Sequence, residues 1–315
     1  MPNFVYLDAS GIKYSYDKFT DQNAPSVLEE IKNVKIRFIK NTKFHSVVEF
    51  EGLNVSIANA LRRILIAEIP TLAIETVEIR QNTGVVQDEL LAHRLGLVPF
   101  NVDPEDFSYK NHESLGDKNS LCFKLSAKCL RSDSQGRNTL SLYAKDLVWH
   151  PFNEAQKLKF QDDPPRPIHG DILLTKLAGG QELDLTAYLE KGIGKTHSKW
   201  SPVSTAVYRF KPEITFSEEF PLSKSDKEEL CELCPMDVFS MKKGDICIED
   251  TLSCTSCRAC VERFPKSVIV KKLNNHIIFS IESTGAVPSA TLLLRAIEVL
   301  KNKSIRLMNR ISELG

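Results

Sequence analysis

The sequence predicts an α+β protein in which two amphipathic helices accompany a larger number of β-strands. Segments such as 34–40 and 73–80 alternate apolar and polar residues, as half-buried strands do. Helical periodicity instead runs through 54–70 and through 289–312, far apart in the chain. With 315 residues, the chain is long enough to form about two domains and to bury a sizeable core.

Composition and charge narrow the class of protein. Hydrophobic residues make up 42% of the chain and charged residues 26%, which is ordinary for a soluble globular protein. Basic and acidic residues both number 41, and this zero net charge argues against sequence-independent binding to nucleic acid. No apolar run is as long as a membrane span, and the first residues lack the features of a signal peptide. We therefore expect no membrane contact and a reducing compartment, where cysteines favour metal binding over disulfides.

Most of the remaining chain is predicted to form β-strands. Residues 1–29 are polar and aperiodic, and we expect them to form an extension. A short helix is predicted at 88–94, and a charged stretch at 223–229 leads into a cysteine-rich segment. The predicted strands are 34–40, 44–50, 73–80, 121–130, 139–148, 182–189, 203–210, 268–272 and 276–282.

The helix at 54–70 combines an apolar face with two adjacent arginines. Asn54 or Ser56 can cap its start, and Pro70 cannot continue it. Arg62 and Arg63 lie on the other side, where they are either solvated or turned toward a charged partner; this segment alone favours solvation. The apolar positions at helical spacing are Ile57, Leu61, Ile64 and Leu65.

The helix at 289–312 has a seam of period 3.5, which is typical of a helix that packs along another helix. The second helix can belong to the same domain or to another subunit, and the pattern leaves both open. The seam positions are Leu293, Ile297, Leu300, Ser304, Leu307 and Ile311.

The cysteine-rich segment fits two metal sites. Cys254, Cys257 and Cys260 have the spacing of the ferredoxin triplet, and Cys234, which precedes a proline, completes a set for one iron–sulfur cluster. Alternatively, the pairs Cys231/Cys234 and Cys254/Cys257, separated by 19 residues, have the spacing of a four-thiolate zinc site. The uninterrupted triplet favours the cluster, and an absence of metal is the third possibility.

Two further motifs carry little weight by themselves. Gly192-Ile-Gly-Lys-Thr196 resembles half of a phosphate-binding loop, but Leu189 stands where the full motif needs glycine. Asp88, Glu89 and His93 lack an obvious nucleophile or orienting partner, so helix-surface pairs or partner contacts explain them better than catalysis.

A family resemblance joins these segments. Residues 59–65 read Asn-Ala-Leu-Arg-Arg-Ile-Leu, and residues 86–99 read Val-Gln-Asp-Glu-Leu-Leu-Ala-His-Arg-Leu-Gly-Leu-Val-Pro. Glu-Ser-Thr-Gly-Ala follows at 282–286, ahead of the long helix. In this order the motifs resemble the α-type assembly subunits of multisubunit RNA polymerases, over nearly the whole chain.

Within that family, the stretch 192–209 resembles the larger α-like subunit shared by eukaryotic RNA polymerases I and III. Residues 100–120 contain no cysteine, unlike the zinc loop of the RNA polymerase II counterpart. The cysteine-rich segment departs from the better-known fungal and animal versions, whereas some archaeal counterparts retain a ferredoxin-like insert. An archaeal subunit with an iron–sulfur insert is therefore the alternative, and a ferredoxin-like electron carrier is a more distant one.

The resemblance implies an α+β fold with a discontinuous dimerisation domain of the α-subunit type, an inserted β-rich domain and a small ferredoxin-like insert. We place the N-terminal extension at 1–29, the dimerisation domain at 30–72 and 272–315, the β-rich domain at 73–220 and the ferredoxin-like insert at 221–271.

The resemblance also implies partners and sites, with no catalytic residue in this chain. The smaller α-like subunit would pair with the apolar helix face and the seam. The implied dimer contacts are Ile57, Leu61, Ile64, Leu65, Leu293, Ile297, Leu300 and Leu307. The second-largest subunit and small zinc-binding subunits would contact Arg62, Arg63, Asp88, Glu89, His93 and Arg94. The expected location is the nucleus and nucleolus, or the cytoplasm of an archaeon for the alternative.

Overall fold

The computed structural model describes residues 4–8, 11–15, 32–110, 114–130, 138–242 and 244–314. The fold mixes helices and sheets, which confirms the α+β prediction. Of the predicted extension at 1–29, only a hairpin of β1 (Phe4–Asp8) and β2 (Gly11–Ser15) lies within the described residues. Among the described helices, none is both long enough and apolar enough to cross a membrane.

The central sheet is antiparallel and carries two helices on one face. Its strands, in spatial order, are β11 (Val203–Phe216), β14 (Val268–Ser283), β4 (His45–Glu51) and β3 (Lys35–Asn41). Helices α1 (Val55–Ala67) and α6 (Ser289–Leu314) cover its apolar side. Asn54 caps α1 by accepting a hydrogen bond from the backbone N–H of Ser56 at 2.9 Å, as expected. Phe50, Phe279 and Leu65 lie at the centre of the shared core.

A second sheet follows α1 directly and forms the β-rich unit. Its order is β5 (Pro70–Asn82), β10 (Glu182–Ile193), β6 (Ser120–Lys128) and β8 (Val148–His150). A two-stranded ribbon of β7 (Thr139–Tyr143) and β9 (Leu173–Ala178) accompanies it, together with α2 (Asp88–Gly96) and α3 (Glu154–Lys159). Phe100 and Phe123 are almost fully buried in its core, with ring centroids 4.9 Å apart.

A third, small unit contains the cysteine-rich segment. It consists of α4 (Lys224–Leu233), the hairpin β12 (Phe239–Lys242) with β13 (Asp245–Ile248), and α5 (Ala259–Arg263). Leu230, Val238 and Phe239 form a core of their own with Cys260 and Val268. This apolar centre is distinct from the cores of the two larger sheets, although the central-sheet strand β14 contributes Val268 to it.

The domain boundaries differ from the predicted ones at two strands. β11 pairs with β14 along almost its whole length, so residues 203–216 belong to the central sheet rather than to the domain predicted at 73–220. β14 is one strand that crosses the predicted boundary at 271/272, because 268–272 and 276–282 continue each other through the register of β11. Alternation identifies a strand but does not say which sheet it joins.

Several short elements were not correctly predicted from the sequence. The predicted strand at 139–148 is interrupted by a tight helical turn at Ala144–Asp146, and β9, β12, α3 and α4 were not predicted. These elements have four to ten residues, too few for periodicity to identify them reliably.

Candidate assembly surface and cysteine cavity

The apolar face of α1 lies inside this chain's own core. Ala58, Leu61, Ile64 and Leu65 are at most 3% exposed and pack against the central sheet. The family resemblance implied that Leu61, Ile64 and Leu65 lie at a subunit interface; the structure corrects this, since side chains enclosed by their own sheet offer no surface to a partner. Ile57 is partly buried at the margin of the same core.

Helix α6 leaves that core after its first turns. Leu293 is 4% exposed, whereas Ile297 is 42% and Leu307 61% exposed. Leu300 packs partly against the core, and every side chain described from 301 to 313 is exposed. Leu293 of the predicted seam therefore belongs to the chain's own core, and the distal half of the seam is open. Three exposed apolar side chains that the seam does not include extend this surface: Leu294, Ile305 and Met308.

Edge strand β3 carries a second exposed apolar surface, which the sequence did not assign to a function. Ile36 is 55% and Phe38 46% exposed, and they stand opposite the core residues Phe50 and Val48 of β4. Cross-strand partners point to the same face of a sheet, so Ile36 and Phe38 lie on the helix-bearing face without being covered by it. The alternation at 34–40 was the available signal, but alternation cannot distinguish an edge strand from a central one.

The two arginines of α1 are not neutralised by any acidic residue that the structure describes. The Arg62 guanidinium donates to Asn59 Oδ1 at 3.0 and 3.2 Å, and Arg63 is exposed. Within the part of the chain that the structure describes, neither forms an ion pair with an acidic residue. Two positive charges therefore stand at the surface of an otherwise apolar helix.

Helix α2 brings the other predicted contacts together, but they do not all play the same part. Asp88 accepts a hydrogen bond from Asn82 Nδ2 at 2.6 Å, which holds the start of α2 against β5. Arg94 donates to the backbone carbonyl of Leu174 at 3.1 Å and to that of Leu173. Arg94 thus fastens α2 to β9, a structural role that the sequence did not anticipate. All four predicted contacts on α2 have exposed side chains, namely Asp88, Glu89, His93 and Arg94.

The glycine motif at 192–196 joins the β-rich unit to α1. A Cβ at Gly194 would lie 2.2 Å from the carbonyl oxygen of Ile66, so the backbone at this position touches the last turn of α1. The N–H of Lys195 donates to the carbonyl of Ala67 at 2.8 Å. This hydrogen bond satisfies one of the carbonyls at the end of α1 that have no partner within the helix. A Cβ at Gly192 would lie 2.3 Å from Cε2 of the Trp200 ring. The glycines therefore serve close packing of the chain after β10 against α1 and Trp200.

A buried carboxylate fastens the strands of the central sheet on the face away from the helices. Glu49 is 5% exposed and accepts hydrogen bonds from Lys211 Nζ at 2.9 Å, His276 Nε2 at 2.7 Å and Arg37 Nε at 2.7 Å. Burial alone would raise the pKa of Glu49, but the three donors outweigh it and lower the pKa from 4.5 to about 2. The four residues come from β3, β4, β11 and β14, so this cluster crosses the whole sheet.

Four cysteines line one small cavity in the third unit. The cavity volume is about 20 Å³, and Ile214 and Val270 contribute apolar walls from β11 and β14. Cys231 does not line it and packs instead against the neighbouring core. The four are Cys234, Cys254, Cys257 and Cys260, the set with ferredoxin spacing.

The loop between Cys254 and Cys260 has an unusual backbone. Ser256 and Arg258 have positive φ angles of 57° and 67°, which cost non-glycine residues strain. The turn at Ser256 directs its backbone N–H toward Cys254 Sγ, 3.4 Å away.

The donor set suits a thiophilic metal, although the coordination shell is not assembled. Burial raises the pKa of the Cys260 thiol, and the neighbouring Cys254 and Cys257 raise it further. Metal binding would therefore have to displace protons. Among the described residues, no three Cys, His, Asp or Glu side chains are already grouped to hold an ion.

Comparisons with known proteins agree on one family. Residues 47–304 match the model of the RNA polymerase Rpb3/Rpb11 dimerisation domain. The chain is 39% identical over 307 residues to the DNA-directed RNA polymerases I and III subunit rpac1 of Dictyostelium discoideum, covering 94% of this chain and 88% of the relative. It is 36% identical to RPAC1 of Homo sapiens, covering 98% and 92%. Identity to RPAC1 of Saccharomyces cerevisiae is also 36%, covering 82% of each chain.

Proposed function

The chain belongs to the family of RNA polymerase subunits with an Rpb3/Rpb11 dimerisation domain, and on this premise we propose how it acts. It is a non-catalytic assembly subunit of DNA-directed RNA polymerases I and III. It pairs with a smaller α-like subunit, and the resulting platform binds the second-largest catalytic subunit. The eukaryotic relatives imply a nuclear protein, and the share in polymerase I implies the nucleolus.

The observation that carries the dimer proposal is the uncovered apolar surface of α6 and β3. Ile297 and Leu307 on α6, with Ile36 and Phe38 on β3, are each more than 40% exposed. These side chains lie on or beyond the helix-bearing face of the central sheet, next to the chain's own core. Burying them against a second α-like subunit removes apolar surface from water, which is the main driving force of stable association.

The charged surface supports contact with other polymerase subunits. Arg62 and Arg63 have no acidic partner among the described residues, and exposed Glu89 and His93 stand on α2. Guanidinium groups suit carboxylate recognition because they present several donors in a fixed plane. We assign these residues to the second-largest subunit and the small zinc-binding subunits.

The dimer proposal predicts that charge on the exposed seam abolishes pairing. The double variant Ile297→Glu with Leu307→Glu should weaken the heterodimer more than about 100-fold, since burying two unpaired carboxylates costs at least about 3 kcal/mol. Asn302→Glu, at an exposed position on the opposite side of α6, is the matched control and should bind normally. Co-purification of the smaller α-like subunit and the Kd of the pair measure the effect. Unchanged affinity of the double variant would reject this interface.

The charged contacts predict a different defect. Arg62→Ala combined with Arg63→Ala should leave the heterodimer intact and weaken capture of the second-largest subunit by about tenfold or more, because both cations are lost from one surface. Sequential pull-down, first of the heterodimer and then of the large subunit, separates the two steps. Loss of the heterodimer at the first step would show that the arginines face the smaller subunit.

The cysteine cavity carries a second proposal, a structural metal centre. The thiols of Cys234, Cys254, Cys257 and Cys260 would hold an iron–sulfur cluster, either 4Fe-4S or 3Fe-4S, and the alternative is zinc bound by Cys231, Cys234, Cys254 and Cys257. When bound, the metal would cross-link α4 to the loop before α5 and so stabilise the third unit. The cavity lining favours the first set, because it includes Cys260 and leaves out Cys231.

Two single variants distinguish the metal sets. For the iron–sulfur cluster, Cys260→Ser should lose the visible absorbance and bound iron of anaerobically purified protein, whereas Cys231→Ser should keep both. For zinc, Cys231→Ser should lose the ion and Cys260→Ser should keep it. Elemental analysis for iron and zinc, together with the visible absorbance, measures which metal each variant retains. Wild-type protein that retains neither metal after anaerobic purification and reconstitution would reject the centre altogether.

A further inference from the structure

Arg209 reaches from the central sheet to the cysteine loop. It lies on β11, and its guanidinium Nη1 donates to the carbonyl oxygen of Cys254 at 3.3 Å. Its Nη2 donates to the carbonyl oxygen of Leu252. One side chain thereby connects a strand of the central sheet with the first cysteine of the triplet.

The segment that Arg209 holds is a single tight turn at Thr251–Ser253. Its start is capped by Asp250, whose Oδ1 accepts from the Leu252 N–H at 2.8 Å and whose Oδ2 accepts from the Ser253 hydroxyl at 2.6 Å. The carbonyls at the end of such a turn have no partner within it and need an outside donor. Arg209 supplies that donor to two of them at once, so Cys254 is fixed by the sheet as well as by its own loop.

We propose that Arg209 is a positioning residue of the metal centre: it fixes the backbone of Cys254 on the central sheet and adds positive charge beside the cysteine loop. The inference rests on the proposed metal centre at the four cysteines. It concerns a residue that lies outside the cysteine-rich segment and that the ligand spacing does not reveal.

Two physical effects follow from this arrangement. The paired hydrogen bonds of a planar guanidinium restrict the loop in a way that a flexible lysine cannot reproduce. The positive charge favours, in a redox-active cluster, the more negative reduced state. Partners outside the ligand shell typically change metal affinity by about 10- to 100-fold when they are removed.

The groove beside the cavity offers a matched control. Lys272 of β14 lines this groove together with Arg209 and Cys254. Among the described residues it donates no hydrogen bond to the cysteine loop, so Lys272→Gln removes a neighbouring charge and leaves the two carbonyl contacts in place.

The test compares wild type, Arg209→Gln, Arg209→Lys and Lys272→Gln as full-length chains, each reconstituted anaerobically with iron and sulfide. We expect Arg209→Gln to lose iron to a chelator at least about tenfold faster than wild type, and to have a lower reduction potential where the centre is redox-active. Arg209→Lys should restore the potential but not the retention, and Lys272→Gln should match wild type in retention. The urea midpoints of the metal-free proteins should be the same for all four, because contacts to one surface loop add little to global stability.

The outcomes separate the two proposals. If wild type binds iron and Arg209→Gln releases it at the wild-type rate, the positioning role is wrong and the metal centre stands. If the metal-free Arg209→Gln protein also has a clearly lower urea midpoint, Arg209 supports the fold as a whole and the positioning role is again wrong. If wild type binds no iron, the iron–sulfur centre fails, and with it the role of Arg209 that rests on it.

Discussion

Alanine at Gly194 is expected to destabilise the protein by about 3 kcal/mol or more, a large effect for a single methyl group. The new Cβ would lie 2.2 Å from the backbone carbonyl oxygen of Ile66, and a backbone group cannot swing aside as a flexible side chain can. Relief would require the end of β10 to separate from α1, which would also break the hydrogen bond from Lys195 N–H to Ala67. Alanine at Gly192 should be comparably harmful because it meets the Trp200 ring.

The urea midpoint and the yield of soluble heterodimer measure this effect. Gly116→Ala is the matched control, since a Cβ there has no atom within 4 Å, and its midpoint should stay close to wild type. A wild-type midpoint for Gly194→Ala would mean that α1 and β10 are not held together at this point.

Replacing Glu49 by glutamine should cost at most about 3 kcal/mol at neutral pH, the free energy that corresponds to its lowered pKa. The pKa falls from 4.5 to about 2 because Lys211, Arg37 and His276 outweigh the effect of burial. Glutamine keeps the shape of the side chain but leaves these donors around a neutral group, one of them a lysine that is only 26% exposed.

The same lowered pKa fixes the direction of the pH dependence. The unfolded chain takes up a proton at Glu49 near pH 4.5, whereas the folded chain resists it until about pH 2. The contribution of Glu49 is therefore complete above pH 4.5 and is lost as the pH falls from 4.5 toward 2. The difference in stability between wild type and Glu49→Gln should be constant near neutrality and should shrink over this acid range.

This prediction is tested by comparing the denaturation midpoints of wild type and Glu49→Gln from neutral pH down into this acid range. Glu51→Gln is the control, because Glu51 is 54% exposed and stands 3.5 Å from an exposed lysine, a pair worth at most about 1 kcal/mol. A stability difference for Glu49→Gln that does not change with acid would show that the carboxylate is not the ionised centre of this cluster.

The longer helices and strands could be predicted from the sequence because the periodicity that identifies them lies within each segment. Helices α1 and α6 and most strands of both sheets follow from periodicity alone, which records the side that each segment turns to a core. The order of three motifs also identified the family, since the Arg62-Arg63 helix, the 86–99 segment and Glu282–Ala286 occur together. The spacing of Cys254, Cys257 and Cys260 gave the candidate ligands without any structure.

Periodicity could not say which core an apolar face joins. Leu61, Ile64 and Leu65 have the pattern of an interface and of an interior alike, and only packing against the central sheet places them inside. For the same reason the exposed surface of Ile36 and Phe38 was missed, since an edge strand and a central strand share one alternation. Contacts between distant segments, such as Glu49 with Lys211 or Arg209 with Cys254, leave no local signal at all.

The sequence by itself thus determined the α+β class, the family, and the residue types available for assembly and for metal binding. The tertiary structure alone decided which of those residues are free. It enclosed the apolar face of α1, left the distal half of α6 open, and used Gly192 and Gly194 for close packing. The physical reason is that spacing along a chain fixes the direction of a side chain relative to its own element, whereas burial depends on what the rest of the chain brings against it.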